Sequence, residues 1–599
     1  MKRRKAINDI HKYIVRAVLF CSIFVPIEGN SQVKTVWALG DGEKVFRDDL
    51  QHPDKNGNAT WDGKTIRLKG LYNEVLAFQV VVETGADTAR SIELAVVNPT
   101  HKASGKTIGG STLKHGPGGT IEIFTQHYLR VKDSTHPNWF YGSKAAAPKK
   151  MTGWIPDALI PTDATTGRGG FPLNIAPSQN QGLWVDIELP RDQKSFPSGV
   201  YNGYVIVSQA GTVVSQIPFE VTLLPQYLPD ENKTTVWVFS SDVDSYFPNV
   251  PEERVHDMLK FEAHRHRITL VGGFNAHTSR FNEAMMQSYK KYLDGTAFTP
   301  AHGYHGPGQG AGEKLFPIGM YGGRVLGDTK SDVQKQADLW VNWFQKNAPD
   351  VKYFWYITDE PDSTRFPWVK ERAGWIHNYT GVGKSLPVFT TTGYKKELAS
   401  DIDIWAAYNG VDLDELPQIR KRGGDHWFYN GNRPRYGSVI LEGTAVDLRM
   451  NSWVLYKYGV NTHFIWHSTA WRHNGQGPKR HLHQNVFGTA LTFINDDMEW
   501  GNGDGILFYP GHMPYYPMED RGLNRILPSI RLKNIRRGQQ DANIMWMAEQ
   551  KVGREKVLSI INKVVPKALS QVSMKDPVPW SEKGDDYERV RQELLDLLK

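Results

Sequence analysis

Between residues 33 and 225, apolar and polar positions alternate in short runs set apart by Gly, Asn, Pro and Asp. Runs of this kind occupy 74–83, 91–97, 182–189, 203–208 and 213–223, and a period of two marks strands with one face in a core. Strand following strand without a helical period predicts an N-terminal antiparallel β-sandwich. The loop 132–170, rich in Pro and Gly, is long enough to reach a neighbouring domain. After Leu224-Pro-Gln-Tyr-Leu-Pro-Asp230 the pattern changes. Apolar runs at 235–240, 268–272, 315–321, 353–358, 388–392, 404–408, 427–430 and 462–466 now alternate with helical periods such as 333–347, 366–379, 413–422 and 448–458. Eight strands with intervening helices predict a (β/α)8 TIM barrel. The run 303–312, rich in Gly and His, reads as a loop over the barrel mouth. Beyond it, 501–511 reads as a turn and a strand, 523–550 and 556–565 as helices, and 585–599 as a surface helix. The predicted organisation is a leader over 1–31, a β-sandwich over 32–228, the barrel over 229–500 and a C-terminal strand and helical extension over 501–599.

The sharpest chemical signal is Tyr353-Phe-Trp-Tyr-Ile-Thr-Asp-Glu-Pro361, the fourth of the eight strands. An uncharged run suits a strand buried on both faces, and the carboxyl ends of barrel strands open onto the ligand site. Asp359 and Glu360 therefore fall at a cleft and read as the catalytic pair of a glycoside hydrolase. Cleaving a glycosidic bond needs a proton for the leaving oxygen and stabilisation of positive charge at the anomeric carbon. Glu360 suits the first task, because burial and a neighbouring like charge both raise a carboxyl pKa. Neighbours on an extended strand point to opposite faces, and Pro361 disfavours helical backbone at Glu360 and predicts an extended conformation there. The two acids then address different parts of one sugar. A 2-acetamido group offers Asp359 a target: its carbonyl attacks the anomeric carbon to form an oxazolinium ion while Asp359 holds the amide N–H.

Two alternatives stay open. In an ordinary retaining mechanism Glu360 is the acid/base and a second carboxylate, about 5–5.5 Å away, is the nucleophile; Glu442 is the candidate by position, with a solvated loop carboxylate as the plain reading. A non-catalytic glycan-binding protein is the other. A lyase or esterase is disfavoured for lack of a Gly-x-Ser-x-Gly elbow. Trp405, Tyr408, Trp427, Tyr429 and Trp466 fall on or near strand ends and form the candidate sugar-binding floor, though each alone suits a core equally well. Asp242 and Asp244 follow the first strand, where they bind hydroxyls or cap a helix. His264 with His266 and His481 with His483 lack the remaining ligands of a zinc site, so no metal and no cofactor is expected.

Composition narrows the class. A chain of 599 residues with 40% hydrophobic and 23% charged residues is a multidomain globular protein. Its 19 Trp, 25 Tyr and 25 Phe supply sugar-stacking surfaces or large cores. Residues 1–31 hold Lys2, Arg3, Arg4 and Lys5, an apolar run over 17–27 and then Gly29-Asn-Ser31, the form of a secretory signal too short to span a bilayer. A secreted or periplasmic protein is expected, with a retained anchor as the alternative. The leader accounts for +4 of the formal charge of +7, and the remaining +3 offers no basic stripe for nucleic acid. The single cysteine, Cys21, lies inside the leader behind Phe20. A mature chain would then lack disulfides, thiol nucleophiles and Cys-bound zinc, and lipid attachment is not expected.

Ile357-Thr-Asp-Glu-Pro361 resembles the Asp-Glu-Pro signature of glycoside hydrolase family 123 and the wider group called domain of unknown function 4091. The resemblance spans about residues 234–565. It includes Trp427-Phe-Tyr-Asn430, Arg449 with Trp453, Phe464-Ile-Trp466, Gly503-Asp-Gly-Ile-Leu-Phe-Tyr-Pro510 and the late segment 531–546. It implies a retaining exo-acting β-N-acetylgalactosaminidase acting on a glycan or glycoconjugate, with Asp359 as polariser and Glu360 as acid/base. The late segment reads Arg537-Gly-Gln-Gln-Asp-Ala-Asn-Ile-Met-Trp546 where the group commonly has an acidic, tyrosine-rich run.

Overall fold

A computed structural model describes residues 32–110, 115–241, 243–272, 275–473 and 482–599. The leader with Cys21, Asp242 and His481 lies outside the described residues. No helix among the described residues is long and apolar enough to cross a membrane.

The N-terminal part is a sandwich of two five-stranded sheets. The first orders Val33–Gly40, Val75–Thr84, Asn180–Glu188, Thr120–Val131 and Gly153–Pro161, all antiparallel. The second orders Ile66–Tyr72, Thr212–Tyr227, Gly199–Gln209, Ala89–His101 and Leu173–Ile175, and only its pair of Ile66–Tyr72 with Thr212–Tyr227 is parallel. Phe78, Val80, Leu183, Val205 and Phe219 fill the space between them. Val75–Thr84 is buried along its whole length, because the outer face of its sheet is covered too: Ala77, Phe124, Leu159 and Trp184 pack on Ile530 of a later helix.

The barrel follows as predicted. Its eight strands are Thr235–Ser240, Thr269–Gly272, Leu315–Ile318, Lys352–Thr358, Val388–Thr390, Ile404–Ala407, Asp425–Tyr429 and Thr462–Ile465. They run parallel in the order second, first, eighth, seventh, sixth, fifth, fourth, third. The interior is aromatic: Trp237, Phe354, Phe389, Trp427 and Phe464 pack together, with Trp237 stacked on Phe464 at 3.6 Å and 6°. On the fourth strand Phe354 and Tyr356 enter this core, while Trp355 and Ile357 face the helices. Burial on both faces is why the strand carries no charge after its exposed first residue, Lys352.

The helix Ile530–Val552 joins the two parts, and its buried face is polar. Arg531 grips Asp157 with Nε at 3.0 Å and Nη2 at 2.7 Å. Lys533 and Arg536 reach Asp186 at 2.7 and 2.8 Å. Burial alone would raise Asp186, but these two cations hold it low. Gln540 donates to the Val75 carbonyl at 2.9 Å and accepts from its N–H at 3.0 Å, extending the sandwich backbone pairing. Toward the barrel, Asp541 accepts from Arg449 of the helix Val446–Tyr458 at 2.7 Å and from Trp453 at 3.0 Å. A side chain at Gly538 would stand 2.5 Å from the Arg449 carbonyl, so the two helices touch there.

Two expectations are corrected. The terminal helix, Gly584–Leu597, is no surface element: Tyr587, Val590, Leu594 and Leu595 are buried, and Arg591 is fully enclosed against Glu74 and, at 3.2 Å, Asp541. The glycine-rich run 303–312 lies at the opposite end of the barrel from the mouth. Its Gly308 carbonyl accepts from His264 at the end of the helix Glu252–Arg265, and its Gly306 carbonyl accepts from Arg191 of the sandwich. A segment that feeds into a strand sits at that strand's N-terminal end. Removing one partner of a buried ion pair costs roughly 3–5 kcal/mol, so Asp541→Ala is expected to lower the thermal unfolding midpoint sharply. An unchanged midpoint would contradict the buried network.

Candidate active site

The fourth strand ends in a one-residue reversal. Glu360 has φ +37°, in the left-handed region, where the sequence predicted extended backbone before Pro361. Such a conformation costs on the order of 1–3 kcal/mol and is held by the Glu360 N–H, which donates to Thr391 Oγ1 at 2.9 Å. Thr391 follows the fifth strand, and its hydroxyl in turn donates to Asp359 Oδ1 at 2.5 Å. Tyr356 OH donates to the same oxygen at 2.6 Å. Asp359 Oδ2 has no hydrogen-bond donor among the described residues. The turn therefore sends the two carboxyls to different places. Asp359 is half-buried among hydroxyls, while Glu360 keeps an exposed edge in an open cleft.

Their electrostatics differ accordingly. Burial raises Asp359 above the ordinary carboxylate range, and the Thr391 and Tyr356 hydroxyls offset only part of that rise. Burial and then the charge of Asp359 push Glu360 up to about 7; its solvent-facing edge screens part of that effect. A carboxyl that still carries its proton near neutrality, beside one stabilised by donors, forms an acid paired with a hydrogen-bond acceptor.

Of the five aromatic residues singled out in the sequence, three come to the mouth. Tyr408 lines the cleft beside Glu360. Tyr429 stacks on Phe464 at 5.0 Å, and its hydroxyl is raised by burial and then by Asp359. Trp466 is half-buried and held from three sides. Its N–H donates to Asn430 Oδ1 at 2.8 Å, its indole N–H to Asp504 Oδ1 at 2.7 Å, and its carbonyl accepts from Tyr321 OH. Trp427 and Trp405 do not reach the mouth. Trp427 fills the barrel interior, with its indole N–H on Asp425 at 2.9 Å. Trp405 points outward into the helix layer against Tyr394.

No protein-family model matches the sequence, and no curated protein matches it. Among solved structures, a family 123 glycoside hydrolase from Clostridium perfringens, studied for glycolipid glycan hydrolysis, aligns over 94% of this chain and 98% of its own at 12% identity, with a TM-score of 0.60. That likeness is one of fold. A family 39 glycoside hydrolase from Bacteroides cellulosilyticus aligns over 68% of this chain and 78% of its own at 10% identity. Its TM-score is 0.27, too low to imply a shared fold.

The remaining candidates are placed as follows. Glu442 is buried, with one oxygen accepting from the Thr135 N–H and Asn502 at 2.7 Å each and the other from the Thr135 hydroxyl at 3.1 Å. It does not line the cleft beside Glu360. His264 is half-buried, stacked on Phe298 and bonded to the Gly308 carbonyl, and His266 is buried beside it. His483 stacks on Tyr515. Asp244 faces His256 at 3.5 Å and gives no cap to the helix Glu252–Arg265. Among the described residues, Asp244, Glu252 and His256 form one of two groups, with Glu43, His52 and Asp54, whose ligand atoms lie close enough to share a cation; neither contains Asp359 or Glu360.

The sequence reading passed over Tyr356, Thr391, Tyr321, Asn430, Asp504 and Trp139. Asn430 and Asp504 stand inside Trp427-Phe-Tyr-Asn430 and Gly503-Asp-Gly, where the resemblance gives the segments and no role for these two side chains. Thr391, in a run of three threonines closing the fifth strand, carries no signal of its own. Thr391→Val removes one of the two donors that lower Asp359. The Asp359 carboxyl is expected to titrate higher when followed by carbon-13 NMR; an unmoved titration would contradict the assigned bond.

Proposed function

We propose that the protein is a secreted glycoside hydrolase related to family 123, acting as a retaining, exo-acting β-N-acetylhexosaminidase of the galactosaminidase kind. The observation that carries this reading is the split environment of Asp359 and Glu360, produced by the left-handed turn and the shared Thr391 hydroxyl. Asp359 Oδ2 accepts the N–H of the substrate's 2-acetamido group, which aligns that group's carbonyl oxygen with the anomeric carbon. The carbonyl oxygen bonds to the anomeric carbon as the glycosidic C–O bond breaks, and Glu360 gives its proton to the departing oxygen. Asp359 stabilises the positive charge of the oxazolinium ion. Glu360, now ionised, takes a proton from water, whose oxygen bonds to the anomeric carbon and reopens the ring with net retention. Tyr429 and Trp466 serve as the floor under the terminal sugar.

The alternative with Glu442 as nucleophile is disfavoured, since both of its oxygens are occupied by Thr135 and Asn502. A panel of aryl glycosides tests the proposal: 2-acetamido substrates are hydrolysed, and equal rates on plain galactosides or glucosides would refute the acetamido role. Glu360→Gln is expected to lose about 10²–10⁴-fold in kcat where the leaving group is poor, and Asp359→Asn to lose activity severely, whereas Glu442→Gln would be the more damaging change under the ordinary mechanism. Because the acid must be protonated, activity is present below about 7 and falls as pH rises through the Glu360 value. A basic limb that persists in Glu360→Gln would assign it to another group.

A further inference from the structure

The foot of the barrel, at the end away from Glu360, holds a buried cation that no carboxylate neutralises. Arg267 follows the helix Glu252–Arg265 and is 2% exposed. Its guanidinium is used on one side only. Nη1 donates to the carbonyls of Pro229 at 3.0 Å and Asp230 at 3.4 Å and to Asn232 Oδ1 at 3.2 Å, and Asn232 donates back to the Arg267 carbonyl at 2.8 Å. These bonds clasp the segment 229–232, which leads from the sandwich into the first barrel strand. Nε and Nη2 are buried with no hydrogen-bond partner among the described residues. Arg267 also has φ +59°, the left-handed conformation that glycine adopts most readily at a helix end, so its side chain has a backbone cost to offset.

Every other buried lysine or arginine among the described residues forms an ion pair with a carboxylate, from Lys260 with Glu313 to Arg591 with Glu74; Arg267 forms none. The acids around it are already taken. Asp230, whose charge acts on it most strongly, is held by Arg191 through bonds of 2.9 and 3.2 Å. Glu313 is held by Lys260 at 2.8 Å and Glu231 by Lys314 at 3.3 Å. His264 nearby is neutral, with burial lowering its pKa to about 4. Burial lowers the Arg267 pKa to about 10, which leaves the guanidinium charged at neutrality. A charge taken out of water without a counter-charge is strongly destabilising.

Arg267 lines a cavity of about 50 Å³ together with Thr235, His264, Thr269 and Lys314. That is well below the roughly 300 Å³ at which small-molecule pockets begin, and above the roughly 10–15 Å³ that one water needs. Thr235 and Thr269 stand two positions before Trp237 and Val271, which face the barrel interior, so their hydroxyls face the same way and can turn their hydrogens toward an anion.

We propose that this cavity binds a small monovalent anion, chloride in size and charge, held by Arg267 Nε and Nη2 and by the hydroxyls of Thr235 and Thr269. The ion is a structural ligand. It neutralises the guanidinium that clasps 229–232 and so strengthens the joint between sandwich and barrel, whatever reaction the barrel mouth carries out.

Bromide, which replaces chloride and scatters anomalously, is the probe for crystals of the full chain. An anomalous peak in the cavity beside the Arg267 guanidinium is expected. In solution, the thermal unfolding midpoint is followed as chloride replaces gluconate at constant ionic strength. The midpoint is expected to rise with the logarithm of the chloride concentration, as for a ligand that binds the native state alone. Arg267→Gln, whose amide can still donate to the 229–232 carbonyls, is expected to lose both the bromide peak and the chloride dependence, whatever its own starting midpoint. Should that variant not fold, the two measurements on the unaltered chain still decide. Absence of the peak, a peak without any chloride dependence (binding at crystal concentration only), or a chloride dependence that survives in Arg267→Gln would each overturn the site.

Discussion

The joint between sandwich and barrel is made by charges that have left water. Along Ile530–Val552, Arg531, Lys533, Arg536 and Arg537 are buried against Asp157, Asp186 and Glu74 of the sandwich, and Asp541 against Arg449 of the barrel and Arg591 of the terminal helix. Buried ions are tolerated only when every partner is in place. A helix that is polar around most of its circumference would not be stable alone, but it suits a bridge between two bodies. The consequence reaches the cleft. Asp157, gripped by Arg531, lies on Gly153–Pro161, the strand at the far end of the loop that carries Trp139. Locking that strand fixes where the loop meets the barrel mouth.

Within the mouth, one threonine hydroxyl separates two neighbouring acids. Thr391 accepts from the Glu360 backbone and donates to the Asp359 side chain. The same bond pair that stabilises an unfavourable φ therefore also fixes the Asp359 carboxylate. Without the turn, side chains on successive strand residues would point to opposite faces. With it, both acids stay at the mouth, Asp359 held by two hydroxyl donors and Glu360 facing the open cleft.

Much of this was legible in the chain. Strands buried on both faces leave uninterrupted apolar runs, which is why all eight barrel strands could be counted and the acids placed at the end of the fourth. The same property hid which way a side chain points. With no polar residue to mark a face, Trp405, which packs outward, looked like Trp466, which stands at the mouth, and Trp427 was indistinguishable from a sugar platform. The terminal helix read as surface because its charges pair with residues more than five hundred positions away, as Arg591 does with Glu74. The late segment, unlike the acidic run of the group it resembles, meets both bodies, Gln540 the sandwich and Asp541 the barrel. The left-handed Glu360 could not be foreseen from Pro361, since its support comes from Thr391 on another strand.

The proposed mechanism gives Asp359 and Glu360 different partners in one reaction. Binding of a thiazoline analogue of the N-acetylgalactosamine oxazoline measures this directly, because that ring carries the cyclised acetamido group and no leaving group. Tight binding that is lost in Asp359→Asn and largely kept in Glu360→Gln is the expected result. Failure of the analogue to bind, or a covalent sugar ester found on a carboxylate of the protein after reaction with a 2-fluoro glycoside, would contradict it.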